Sequence, residues 1–171
     1  MPDTESTLAP TIRPIRPEDN PEVALIIRQV MTEFGAVGQG YSIQDDEVDH
    51  MYEAYPAEDS VFFVVESQGQ VLGCGGIGPL RGGDADVCEL RKMYFLPELR
   101  ALGLGRRLLR MCLDEARSLG YGVCYLETLE NMTAARQLYR QFGFKGLDRP
   151  MGETGHCGCN YWMVKSLATQ S

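Results

Sequence analysis

Residues 87–109, VCELRKMYFLPELRALGLGRRLL, decide how the rest of the chain is read. Val87–Phe95 reads as a strand, and Pro97 breaks it because a proline has no N–H to donate. The turn Arg100-Ala101-Leu102-Gly103-Leu104-Gly105 follows, and then an amphipathic helix. Two glycines one residue apart allow backbone N–H groups to point into a shared concavity without interference from Cβ atoms. The helix starts there, so its unpaired N–H groups and the positive end of its dipole face the same place. Arg106 and Arg107 stand in the first helical turn, where cations oppose the dipole unless an anion is held nearby. With Arg100, they describe a cradle for phosphate.

Downstream, Leu104, Leu108, Met111, Cys112 and Ala116 recur at the spacing of a helix from about Leu104 to Leu119, which Gly120 ends. Val123–Thr128, VCYLET, is a buried strand. Strand, helix and strand in succession make a parallel pair. A short helix over Thr133–Gln141 is stopped by Gly143, and Phe144–Leu147 and Tyr161–Val164 read as the last two strands. Between them lies the polar loop MGETGHCGCN.

Upstream, TIRPIR (residues 11–16) suits an edge strand, because Pro14 cannot donate to a ladder. Pro17-Glu18-Asp19 opens a helix whose apolar stripe is Val23, Ile26, Ile27 and Val30. A Gly-rich segment, Phe34–Ser42, leads to an expected second helix from Ile43 to Tyr55. Ser60–Glu66 and Gln70–Gly78 form a hairpin about Gln68-Gly69, and FFVV, apolar on both faces, predicts a central strand. Gly73-x-Gly75-x-x-Gly78 matches a dinucleotide fingerprint in letters only. That motif must open a helix, whereas Pro79 and further glycines follow here.

The chain has 171 residues, enough for one domain with its own core, expected over residues 11–168 behind a disordered tail of residues 1–10. Its net charge of −8 argues against a nucleic-acid partner. No run approaches the roughly 20 apolar residues of a membrane span. The N-terminus has neither the basic start nor the apolar stretch of a signal peptide, and the six cysteines then read as thiols in a cytoplasmic protein.

Glu89 interrupts the apolar strand that leads to the cradle, eleven residues before Arg100. A carboxylate partly buried there would have a raised pKa and could serve as a general base. Arg91 and Lys92 offer it a plain pairing instead. Glu127, at the end of the parallel partner strand, is a competing carboxylate. Asp45, Asp46 and Glu47 would suit a cationic amine. Asn131 can cap the helix that carries Tyr139. His156, Cys157 and Cys159 fall short of a zinc site, since Cys-x-Cys is tighter than structural zinc spacing.

The turn at Arg100, Gly103 and Gly105 resembles the acetyl-CoA signature of the GNAT superfamily of N-acetyltransferases, Gln/Arg-x-x-Gly-x-Gly/Ala. Asn131, Ala134, Tyr139 and Gly143-Phe144 fall in the order of that family's second motif. The resemblance covers most of residues 11–165 and implies the GNAT fold, an α/β class with a mixed, mostly antiparallel sheet flanked by helices. It implies acetyl-CoA as cosubstrate, held by Met93, Tyr94, Phe95, Arg100, Leu102, Gly103, Leu104, Gly105, Arg106, Arg107, Asn131, Ala134 and Tyr139. It further implies Glu89 as base, Tyr139 as the acid that protonates the departing thiolate, and no metal. Phe34, Tyr41, Glu127 and His156 are the expected acceptor-side residues. The implied partner is a small-molecule or peptide amine, with a homodimer left open. A catalytically silent acyl-CoA sensor of the same fold is the alternative.

Overall fold

In the computed structural model, which describes residues 9–168, seven strands form one sheet in the order β1-β2-β3-β4-β5-β7-β6. The strands are β1 (Thr11–Pro14), β2 (Val61–Ser67), β3 (Gln70–Pro79), β4 (Val87–Phe95), β5 (Val123–Thr128), β6 (Lys145–Leu147) and β7 (Tyr161–Ser166). Three helices accompany them: α1 (Asn20–Glu33), α2 (Leu104–Ser118) and α3 (Thr133–Gln141). Only β4 and β5 run parallel, joined by α2 as the strand-helix-strand reading requires; all other neighbours are antiparallel. Residues 1–8 of the expected tail lie outside the described residues.

β2 is apolar throughout because both faces of the sheet are covered. Phe62 and Val64 pack with Val23, Ile26, Ile27 and Val30 of α1. Phe63 and Val65 point the other way, into the cluster of Leu104, Leu108, Leu109 and Cys112 of α2. This is the period-2 alternation of a strand meeting two helical stripes. Val23, Ile26, Ile27, Leu108 and Leu109 are fully buried.

Both expected glycine stops are present with their full hydrogen-bond pattern. After α2, Gly120 at φ 92° donates to Arg117 O and Tyr121 donates to Ala116 O, each at 3.0 Å. After α3, Gly143 at φ 92° donates to Arg140 O and Phe144 to Tyr139 O, again at 3.0 Å. These are Schellman closures, and the positive φ is why glycine stands there. The second one sets Phe144 edge-on to Tyr139, with ring centroids 5.8 Å apart, so the helix stop also fixes the tyrosine ring. It delays the following strand to Lys145, one residue later than expected, while β7 runs on to Ser166.

The helix expected over Ile43–Tyr55 does not form. Two single 3-10 turns, Ser42–Gln44 and Asp46–Asp49, replace it, with Asp45 extended between them at ψ 135°. Lys92 is the physical reason: its ammonium lies 2.6 Å from both Asp45 Oδ2 and Glu47 Oε1. Residues two apart on an α-helix point about 200° away from each other, so a single ammonium could not hold both.

The feature that makes the site is a bulge. Cys74 pairs with Tyr94 and Gly76 with Arg91, so Lys92 and Met93 together oppose Gly75. Lys92 takes φ 51°, and a Cβ on Gly75 would approach Met93 Cα to 3.2 Å. A bulge bends its strand and sharpens the twist. β4 and β5 pair only from Val87↔Val123 to Leu90↔Leu126. Beyond Leu90, the edge of β4 that faced β5 is released from the ladder.

Candidate active site

The turn ahead of α2 leaves a set of backbone N–H groups open. Ala101 and Gly103 have φ 64° and 77°, and the first helical bond runs from Arg107 N–H to Gly103 O at 3.2 Å. The N–H groups of Leu104, Gly105 and Arg106 therefore have no helical partner. They open on a cleft of about 380 Å³ lined by Phe34, Met93, Tyr94, Phe95, Arg100, Gly103, Leu104, Gly105, Asn131, Ala134 and Ala135, among others. Gly105 keeps the floor low: a Cβ there would meet Leu138 at 3.3 Å.

A second pocket occupies the gap between β4 and β5. It shares Met93, Tyr94, Met132 and Ala135 with the cradle cleft and adds Glu89, Glu127, Tyr139, His156 and Cys159. A third, open pocket shares Glu89, Arg91, Lys92 and His156 with the second and carries Asp45, Glu47 and Arg81 at its rim. The three adjoin through these shared walls, with the N–H cradle at one end of the row and carboxylates at the other.

Glu89 is 5% exposed. Its Oε1 accepts from Arg91 Nε at 2.8 Å. Burial pushes the carboxyl above its ordinary value, although Arg91 opposes the shift. Burial acts the same way on Glu127, but hydrogen bonds from His156, Thr154 and Tyr125 outweigh it and hold that carboxyl low. Tyr125 donates to Glu127 Oε2 at 2.8 Å, and Thr154 donates to Oε1. His156 Nε2 lies 2.9 Å from Asp45 Oδ1, and its Nδ1 lies 3.5 Å from Glu127 Oε1. Burial works against the imidazolium, but the two carboxylates prevail and lift the pKa of His156 to about 9. Burial also raises Tyr139, which keeps its phenolic proton at neutral pH.

Ligating atoms of Glu89, Glu127 and His156 lie within 4.8 Å of one another. Each is already engaged by a protein partner: Arg91 on Glu89, Thr154 and Tyr125 on Glu127, Asp45 on His156. The three thus sit in one network of ion pairs and hydrogen bonds.

The expected residues divide among these places. Met93, Tyr94, Phe95, Arg100, Gly103, Leu104, Gly105, Asn131 and Ala134 line the cradle cleft, whereas Tyr139, Glu89, Glu127 and His156 meet in the central pocket. Leu102, Arg106 and Arg107 are exposed and stand outside the cleft lining. Arg106 turns to Gln141 and lies over the ring of Phe142 at 5.5 Å. Phe34 belongs to the cradle side, with its carbonyl accepting from Asn131 Nδ2 at 3.0 Å. Asn131 therefore does not cap α3, whose N-cap is Met132. Tyr41 lines a shallow pocket with Phe34, Asn131 and Asn160. Arg100 is held bidentately by Glu33 at 2.7 and 2.6 Å. Of the two cations offered to Glu89 by the sequence, Arg91 pairs with it and Lys92 goes instead to Asp45 and Glu47, while Thr154 had no local signal because it acts on a distant segment.

The helix N-terminus and the carboxylate pocket adjoin where β4 and β5 part, and the comparisons say to which family this arrangement belongs. The model of the acetyltransferase (GNAT) family matches residues 27–144. The chain belongs to that family. It is similar to the uncharacterized N-acetyltransferase YjgM of Escherichia coli K12, 41% identical over 160 residues, which cover 93% of this chain and 96% of the relative. It is also similar to the IAA acetyltransferase of Azospirillum brasilense, 34% identical over 138 residues, covering 71% and 87%. Among solved structures, yncA of Salmonella typhimurium with its cofactor acetyl-CoA superposes at a TM-score of 0.76 and 23% identity, covering 95% and 96%. No helix among the described residues is long and apolar enough to cross a membrane.

Proposed function

We propose that residues 11–168 act as one catalytic domain that moves the acetyl group of acetyl-CoA to a primary amine by direct attack. The observation that carries this reading is that the two ends of the site adjoin. The cradle cleft and the carboxylate pocket share Met93, Tyr94, Met132 and Ala135, so a ligand's extended arm can run from one to the other. The pyrophosphate sits on the N–H groups of Leu104–Arg106, where the helix dipole favours anions. Arg100 adds charge at that cleft. Acetyl-CoA is the cofactor in the solved yncA structure, which supports the same occupant here.

The acceptor enters from the acidic rim as an ammonium. It transfers a proton to the free Oε2 of Glu89, leaving a neutral amine and a carboxylic acid. The amine nitrogen bonds to the thioester carbonyl carbon. The oxyanion that forms is met by a backbone N–H on the β4 edge beyond Leu90, which β5 no longer covers. The carbon–sulfur bond then breaks as Tyr139 gives its phenolic proton to the thiolate, the second proton of the attacking nitrogen passes to the tyrosinate to leave a neutral amide, and Glu89 returns the proton it took to solvent.

The test is release of free coenzyme A thiol from acetyl-CoA over a panel of amino acids, polyamines, aminoglycosides and peptides. Turnover of at least one amine, with Tyr139→Phe lowering kcat and leaving acetyl-CoA affinity unchanged, is the expected result. Stabilisation of the fold by acetyl-CoA with no turnover of any amine would overturn it in favour of a sensor.

A further inference from the structure

The acceptor pocket holds two carboxylates whose ligating atoms lie within 4.8 Å of each other and of His156. Two like charges so close cannot both be easily ionised, and environments that push them apart assign their roles. Here the surroundings differ in kind. Glu89 has one cation, Arg91, on Oε1. Glu127 has Tyr125 on Oε2, and Thr154 and His156 on the side of Oε1. His156 in turn is braced by both oxygens of Asp45, at 2.9 and 3.0 Å from Nε2. Asp45 is itself anchored to the buried Lys92.

We propose, building on the acetyltransferase reading, that His156 is a positioning residue: braced by Asp45, it makes Glu127 the receptor for the acceptor's ammonium and leaves Glu89 to take the proton. A receptor must stay anionic while a neighbouring carboxylate gains and loses a proton. An adjacent imidazolium secures that, because an opposite charge within about 4–6 Å favours the charged form. Without it, the two carboxylates would share one proton and the ammonium would have no fixed partner. The ligand class that follows is a primary ammonium rather than a hydroxyl or a neutral aromatic amine.

The groups facing His156 come from several segments. Asp45 stands between the two 3-10 turns and Glu47 in the second of them, Glu89, Arg91 and Lys92 on β4, and Tyr125 and Glu127 on β5. Cys159 follows on the same loop, and Arg81 stands at the rim. Asp45 and Glu127 are the acids in direct reach, and both favour the imidazolium.

A double-variant cycle tests the proposal. With a turned-over amine and saturating acetyl-CoA, His156→Gln should raise the amine KM about tenfold, the size expected when one charge-assisted contact is lost, and change kcat less. The KM for acetyl-CoA should not move. Glu127→Gln should raise the amine KM alone, and adding His156→Gln to it should raise it no further, because His156 acts only through the charge on Glu127. Additive effects in the double variant would overturn the proposal.

A second readout is independent of turnover. The chain has two histidines, so His50→Gln leaves one imidazole to follow by NMR. That imidazole should be charged at pH 7.5, lose its proton near pH 9, and titrate lower once Glu127→Gln is added. An imidazole already neutral at pH 7.5, or one indifferent to Glu127→Gln, refutes the role. Absence of turnover with any amine would instead strike the acetyltransferase reading, while the NMR result would still decide the His156–Glu127 link.

Discussion

Lys92→Met isolates the contact that ties the bulge to the acceptor rim. Lys92 is 2% exposed in its side chain and binds two carboxylates, Asp45 and Glu47, each at 2.6 Å. Methionine nearly matches its length, and having a Cβ it bears the same left-handed backbone at φ 51°. The substitution therefore removes a charge and little else. Removing one partner of a buried ion pair costs about 3–5 kcal/mol, because the other charge is left in a poor solvent. Asp45 and Glu47 retain 25% and 26% exposure, and Asp45 keeps His156. Water therefore reaches the orphaned acids, and about 2–3 kcal/mol is the expected loss.

Urea unfolding at pH 7.5 measures it as a fall in midpoint with an unchanged slope. The pH dependence provides a check on the cause. Burial raises the Asp45 carboxyl, but His156 and Lys92 more than compensate and leave it below its ordinary 3.8. A depressed folded-state pKa contributes stability above the unfolded value that is lost as pH falls through the folded one. The difference between the two proteins should therefore be full above about pH 4 and shrink below it. Adding Asp45→Asn and Glu47→Gln to Lys92→Met should recover part of the loss. Equal stability of Lys92→Met and the parent at pH 7.5, or a gap that persists unchanged into strong acid, would refute the reasoning.

Two further outcomes are expected. Gly76→Ala would place a Cβ 2.3 Å from Val61 O and 2.9 Å from Phe62 Cα. Neither is the end of a flexible side chain, so the loss in thermal unfolding should be about 3 kcal/mol or more; a variant as stable as the parent would show that the hairpin yields. Glu33→Ala should free Arg100 from its bidentate partner and tighten acetyl-CoA binding a few-fold by calorimetry. Arg100→Ala should weaken it, and no change in either variant would place the arginine outside the binding site.

Much of the fold was legible because its signals are local. A glycine that must adopt φ near 90° stops α2 and α3 whatever surrounds them, and the unbroken apolar run of β2 shows both faces covered before the helices that cover them are known. The helix misassigned to Ile43–Tyr55 shows where local reading ends. Its acidic, moderately apolar sequence is compatible with a helix, and what unwinds it is an ammonium 47 residues away in the chain. Asn131 is a similar case: it stands one residue before a helix cap and has a capper's side chain, yet it is occupied by the carbonyl of Phe34, 97 residues away.

For the candidate site the division follows the same physics. The sequence by itself determined the cradle, since a helix start, two glycines and the N–H groups they leave open are properties of one short stretch. It also placed Glu89 on the strand before the turn and Tyr139 on the short helix after it, and both line the central pocket. The tertiary structure alone decided their surroundings. Asp45 and His156 meet across 111 residues, the β4 bulge parts two strands to make the central pocket, and Glu33 rather than solvent receives Arg100. A hydrogen bond within a turn is dictated by backbone geometry. A salt bridge between distant loops exists only once the whole sheet has set their separation, and contacts of that kind hold the Glu127 carboxyl low while burial in the same pocket pushes Glu89 up.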